Sequence, residues 1–174
     1  MRWFSQTSVL LLALLTVAGA AHAQDGSPSM QGNFTLDPAA SGDVSQAIDR
    51  AVARMNMMKR PIARSRLKKT NEPYQQVTIA QTPSEVTFTA DDRTPVVAPP
   101  NGTPIKWTRE DGEVFDVTTQ WKDDKLEQTF KAEDGQRVNT FTLSPDGNVL
   151  TMDVRVTSPR LSRPLFYTLV FRRT

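Results

Sequence analysis

From Tyr74 to Arg173 hydrophobic residues recur at every second position in short runs, whereas from Val44 to Met58 they recur at intervals of three, four and seven. A period of two gives a strand one apolar face, and a period near 3.6 gives a helix one apolar stripe. The helical pattern predicts one amphipathic helix over residues 43–60. Asp43 stands at the capping position with Gln46 three residues on, and Val44, Ile48, Ala51, Val52, Met55 and Met58 make the stripe. Asp49, Arg50, Arg54 and Lys59 fall largely off that stripe, and Pro61 is expected to stop or kink the helix. A short strand, GNFTLD at 32–37, precedes it and ends at Pro38.

The period-two region divides into many short strands. QVTIA puts Val77 and Ile79 on one face, and EVTFTA does the same with Val86 and Phe88. After a stiff stretch punctuated by Pro95, Pro99, Pro100 and Pro104, strands are predicted at 105–108, 114–121, 126–131, 137–143, 149–157 and 165–173. Their separators, among them EDGE, KDDK, EDGQ and SPDGN, are tight-turn chemistry. In the last, Pro145 suits the second position of a type I turn and Gly147 supplies a positive φ. Neighbouring strands therefore fold back antiparallel as a meander. One buried face per strand, repeated over about 8–10 strands, calls for a mainly β chain curled into an antiparallel barrel, with the helix packed on it or capping it. A β-sandwich is the alternative. The last sixty residues lack the long crossovers a Greek-key sandwich needs, which favours the barrel.

Composition narrows the chemistry. Residues 1–23 read as a secretory leader: Arg2, an apolar run from Val9 to Ala18, and Ala21-His22-Ala23 as the cleavage site. The apolar run is too short to cross a hydrocarbon core of about 30 Å. Cleavage after Ala23 leaves 151 residues with 20 basic and 19 acidic side chains, a flexible polar leader at 24–31 and a single domain at 32–174. It also removes His22, the one histidine of a chain without cysteine. An imidazole or thiol nucleophile system and the usual zinc sites are then excluded, and no enzyme activity, metal or cofactor is expected. No further transmembrane run follows, and the near-zero net charge gives no reason to expect nucleic acid. A periplasmic or secreted protein is expected. No Gly-x-Gly-x-x-Gly or P-loop is present, and the acidic turns lack the alternating acids of a calcium loop. Paired carboxylates such as Asp123-Asp124 fall in solvated turns where nothing raises one pKa.

The layout of one strand, a helical segment and a long meander resembles the calycin superfamily, which includes lipocalins and fatty-acid-binding proteins. Gly32-Asn33-Phe34 is similar to the lipocalin opening Gly-x-Trp, with Phe34 where tryptophan is usual. Arg172 or Arg173 is similar to the arginine that packs on that aromatic ring. The helix follows the first strand, as in fatty-acid-binding proteins, but their terminal Arg-x-Tyr is absent, since Arg163 and Tyr167 are four apart. WKDDKLEQTF and LSPDGNVLTMDVRV also resemble small secreted bacterial proteins with lipocalin-like sheets. The resemblance implies a barrel that holds an apolar or amphipathic small molecule.

Two sets of side chains are candidates for binding. Trp107 and Trp121 lie near strand ends, where they line either a ligand mouth or the core. Met55 and Met58 either cap the mouth or plug the core. Gln128 and Asn139 share strand faces with Phe130 and Phe141, so an inward amide there needs a partner that a ligand or ordered water supplies; Tyr167 joins this set. The second set is basic: Arg54 to Lys69 holds seven cations and no acid, and Arg60, Arg64, Arg66, Lys68 and Lys69 are the candidate surface for an envelope protein. A small-molecule carrier and a protein-interaction module are thus both open.

Overall fold

The computed structural model describes residues 29–174. The expected leader, its cleavage point and His22 lie outside the described residues.

Ten strands form one antiparallel sheet: β1 (Gly32–Leu36), β2 (Gln76–Gln81), β3 (Val86–Ala90), β4 (Val96–Ala98), β5 (Ile105–Thr108), β6 (Val114–Lys122), β7 (Lys125–Ala132), β8 (Gly135–Leu143), β9 (Val149–Thr157) and β10 (Leu165–Arg173). Their order is β4-β3-β2-β1-β10-β9-β8-β7-β6-β5. The meander is therefore consecutive except that β1 pairs with β10, which curls the sheet into a nearly closed barrel. β4 and β5 share no ladder. Instead the seam is held by an isolated bridge between Asn101 and Gln120, by the Gly102 amide donating to the Thr119 carbonyl at 2.9 Å, and by Trp107 Nε1 donating to the Pro95 carbonyl at 3.0 Å.

The barrel expectation holds, but the helical segment divides in two: α1 (Val44–Val52) and α2 (Arg60–Thr70). Asp43 caps α1 as expected, accepting from the Gln46 amide at 2.9 Å, and Val44, Ala47, Ile48, Ala51 and Val52 are buried. The stripe ends there. Asn56 interrupts it, its side-chain oxygen accepting from the Met58 amide at 2.9 Å and its carbonyl from the Lys59 and Arg60 amides. Pro61 does not stop a helix. It sits in the first turn of α2, where a missing N–H costs nothing and a fixed φ helps. No residue of α2 is buried, and only Leu67 packs against the core. Asp49 and Arg64 join the two helices as an ion pair.

Since strands alternate in direction, the helices lie at the same end of the barrel as the β3–β4, β5–β6, β7–β8 and β9–β10 connections. At the opposite end, Arg173 places its guanidinium 4.7 Å from the Phe34 ring centroid and donates to the Gln31 and Gly147 carbonyls at 2.9 and 2.6 Å. Of the two arginines expected there, Arg173 makes the contact, and Arg172 pairs with Asp37. Gly32 is required by this arrangement, because a Cβ would lie 2.1 Å from Arg173 Nη1. Gly32→Ala must expel the arginine, losing a cation–π contact and two charge-assisted hydrogen bonds at a cost of about 1–3 kcal/mol. Arg173→Ala should cost a similar amount, and the double variant should be no less stable than the worse single one. Denaturant melts of all three would show additive losses if the two residues acted separately.

Candidate functional site

Antiparallel register sorts the inward side chains of β6 to β10 into rows. Nearest the helices the row reads Val117, Phe130, Arg137, Val156, Leu165. Below it come Thr119, Gln128, Asn139, Val154, Tyr167, and then Trp121, Leu126, Phe141, Met152, Leu169. The lowest row is nearly all apolar, and Leu126, Phe141, Met152 and Leu169 are inaccessible to water. Phe34, Ile79, Leu150 and Phe171 fill the remainder of that half of the barrel. The interior far from the helices is thus packed.

The upper two rows differ. Thr119, Gln128 and Asn139 are buried polar side chains on three neighbouring strands. Gln128 Nε2 donates to Thr119 Oγ1 at 3.4 Å, while Gln128 Oε1 and, one row down, Trp121 Nε1 have no partner among the described residues. An unpaired buried group of this kind costs about 1–3 kcal/mol, which water or a ligand group offsets. Arg137, absent from the candidates read from sequence, projects from β8 into the same space. Its Nε donates to Asn139 Oδ1 at 2.8 Å and its Nη1 to the Thr70 carbonyl at 3.4 Å. Both acceptors are neutral. Among the described residues no carboxylate forms an ion pair with it. Burial acts to lower the Arg137 pKa, but the Tyr74 and Tyr167 phenols more than offset this and raise it, so the guanidinium stays charged. Tyr167 donates to Asn71 Oδ1 at 3.1 Å, and its own pKa is raised, chiefly by burial, with Arg137 partly opposing.

Beside Arg137 the wall is aromatic. Phe130 stands opposite it in register, and Trp107, Phe115 and Phe130 meet with ring centroids 5.5–6.2 Å apart. All three rings point inward yet remain partly accessible at the helix end. A separate groove of about 510 Å³ runs between the start of α1 and the end of α2. Leu36, Val44, Ile48 and Leu169 form its apolar lining, Lys68 and Lys69 belong to its wall, and Asn71 connects it to Tyr167.

The residues expected to bind ligand therefore separate. Trp107, Gln128, Phe130, Asn139 and Tyr167 share the upper interior with Arg137. Trp121 and Phe141 belong to the packed row below. Met55 is only partly buried and Met58 is 84% exposed, because both fall in the interhelical turn and not on a continuing helix. Neither lines the interior. Of the basic set, Arg60 hydrogen-bonds the Ala53 and Met55 carbonyls and Arg64 pairs with Asp49, so both are spent on the turn and the helix pair. Arg66, Lys68 and Lys69 remain exposed.

A meander barrel of ten strands with a helix pair after the first strand is a calycin-like fold. Solved structures of very low identity share it. A REP1-NXSQ fatty acid transporter is 13% identical, with 83% of this chain and 96% of that one covered and a TM-score of 0.54. Human cRBP IV is 16% identical, with 85% and 100% covered and a TM-score of 0.55. A secretary abundant heat soluble protein from Ramazzottius varieornatus is 6% identical, with 85% and 97% covered and a TM-score of 0.61. No family model matches the sequence, and no curated protein matches it.

Tyr167 offers a test of the buried polar row. Its pKa is raised from 10.0, so the fold favours the protonated phenol. That stability is complete below pH 10 and is lost as pH rises through the higher folded value. Ultraviolet titration should show a phenol ionising above pH 10 that disappears in Tyr167→Phe, and the variant should lose less stability than the parent in alkali. Ionisation of Tyr167 itself near pH 10 would place it in water.

Proposed function

We propose that this chain is a non-catalytic carrier of a small amphipathic acid, held at the helix end of the barrel with its anionic group at Arg137. The observation that supports this reading is a partly buried guanidinium on the inner wall whose hydrogen-bond acceptors are all neutral. A charge withdrawn from water is costly without a counterion, and an anionic ligand supplies one. The apolar part of the ligand lies on Phe130, Trp107 and Phe115, because the far half of the interior is filled. The name of one of the similar structures, a fatty acid transporter, is compatible with this reading. No catalytic role is assigned to any side chain.

The second reading, an interaction module for an envelope protein, is favoured by the outer surface of the helix pair. Met57, Met58 and Ile62 are 82%, 84% and 72% exposed beside the cations of α2. Exposed apolar side chains next to unpaired charge are the composition of a contact surface. A carrier that hands its ligand to an acidic partner needs both features, so the readings are compatible.

Calorimetric titration with dodecanoate and with dodecanol tests the carrier. Dodecanoate should bind one to one, and Arg137→Gln should weaken it about 10- to 100-fold, the worth of a charge-assisted contact, while leaving dodecanol unchanged. Absence of dodecanoate binding to the parent protein would refute the assignment. The proposal also includes export. Mass spectrometry of protein from the native envelope should find a chain starting at Gln24, and a processed chain that keeps residues 1–23 would count against it.

A further inference from the structure

Arg137 is not the sole cation at the helix end. Arg93 places its guanidinium 4.7 Å from the Tyr74 ring centroid, and Arg137 lies 5.7 Å from the same centroid. Arg93, Arg137 and Tyr74 are all partly buried. Two like charges thus converge on one ring whose quadrupole offsets each only weakly. Neither forms an ion pair among the described residues. Carboxylates are available at this rim: Arg109, over Phe115, bonds Asp111 at 2.6–2.9 Å and Glu113 at 2.5 Å. Glu110 is within electrostatic reach of Arg93, but its carboxylate accepts from the Thr94 amide at 2.5 Å. The fold therefore neutralises Arg109 by direct ion pairs, whereas Arg93 and Arg137 form none among the described residues and Glu110 acts on Arg93 only at longer range.

The pair is also held in place. Asp91 adopts φ 51° in the β3–β4 connection, and its carboxylate accepts from the Gln75 and Gln76 amides at 2.9 and 2.8 Å. The Arg93 amide donates to the Ala90 carbonyl at 3.1 Å. One carboxylate thus pins the turn bearing Arg93 to the segment bearing Tyr74. Arg137 is fixed separately by Asn139 and Thr70.

We propose that Arg93 and Arg137 form a two-guanidinium receptor for the phosphate head of an amphipathic phosphomonoester, in preference to a carboxylate. The inference rests on the carrier reading and specifies its head group. A carboxylate brings one charge and two oxygens, enough for Arg137 alone. A phosphomonoester brings a charge of about −1.5 to −2 and three acceptor oxygens at neutral pH, which two planar donor forks can share. Its alkyl part then lies on the ring cluster of Trp107, Phe115 and Phe130.

The test compares dodecyl phosphate, dodecanoate and inorganic phosphate by calorimetry at pH 7.5, on the parent chain, Arg93→Gln and Arg93→Lys. Dodecyl phosphate should bind at least 10-fold tighter than dodecanoate. Arg93→Gln should abolish that preference while changing dodecanoate affinity less than about 3-fold, and Arg93→Lys, which keeps the charge, should retain part of it. Thermal melts of both variants check that they fold. Equal affinities of the two alkyl ligands for the parent chain would overturn the phosphate assignment and leave the carrier reading intact, whereas failure of both to bind would remove the carrier reading itself. Inorganic phosphate binding as tightly as dodecyl phosphate would make the site a receptor for free phosphate and overturn the lipid assignment.

Discussion

Antiparallel register across β6 to β10 is the constraint on which the interior depends. Each ladder sets a residue of one strand opposite a fixed residue of the next, so a single position decides the chemistry of a whole row. Shifting β8 by one residue would send Arg137, Asn139 and Phe141 outward together and bring Val138 and Thr140 in. The polar row and the packed apolar row beneath it are thus not independent features. The burial of Phe141 and Leu126 holds the ladder in the frame that also points Arg137 and Asn139 inward.

That coupling explains how a barrel of this size tolerates a polar band inside. The half away from the helices is closed by large apolar side chains and by Arg173 stacked on Phe34, and supplies the burial that stabilises the fold. The half beneath the helices gives up apolar contacts to Thr119, Gln128, Asn139 and Arg137. A site that keeps unpaired polar atoms costs stability locally, and the packed half offsets it.

The strands were legible because alternation needs no tertiary context: Leu150, Met152 and Val154 announce their face in the sequence itself. The close of the barrel by an arginine on Phe34 was legible as a resemblance, down to a choice between two adjacent residues. The second helix was not, because a helix that buries nothing has no stripe, and a run of cations with Leu67 as its one anchoring apolar residue reads as a solvated loop. Asn56 and Pro61 carried the signal of a turn followed by a helix start, but Met55 and Met58 continued the stripe spacing and masked it. Arg137 was detectable in principle. It shares parity with Asn139 and Phe141 in RVNTFTL, so whatever turns the phenylalanine inward turns the arginine inward as well. The convergence of Arg93 on Tyr74 has no such trace, since it joins a turn to the segment after a helix and depends on the hydrogen bonds of Asp91.

The pairing of β1 with β10 has a consequence for how the molecule is made. The first strand can acquire β2 early, but its other edge stays open until β10 is synthesised, and β9 awaits the same partner. Ring closure therefore joins the first and the tenth of the described strands, slow for the reason all distant pairings are slow. Until β10 forms, the facing edges of β1 and β9 are both unsatisfied, and that one strand removes both at once.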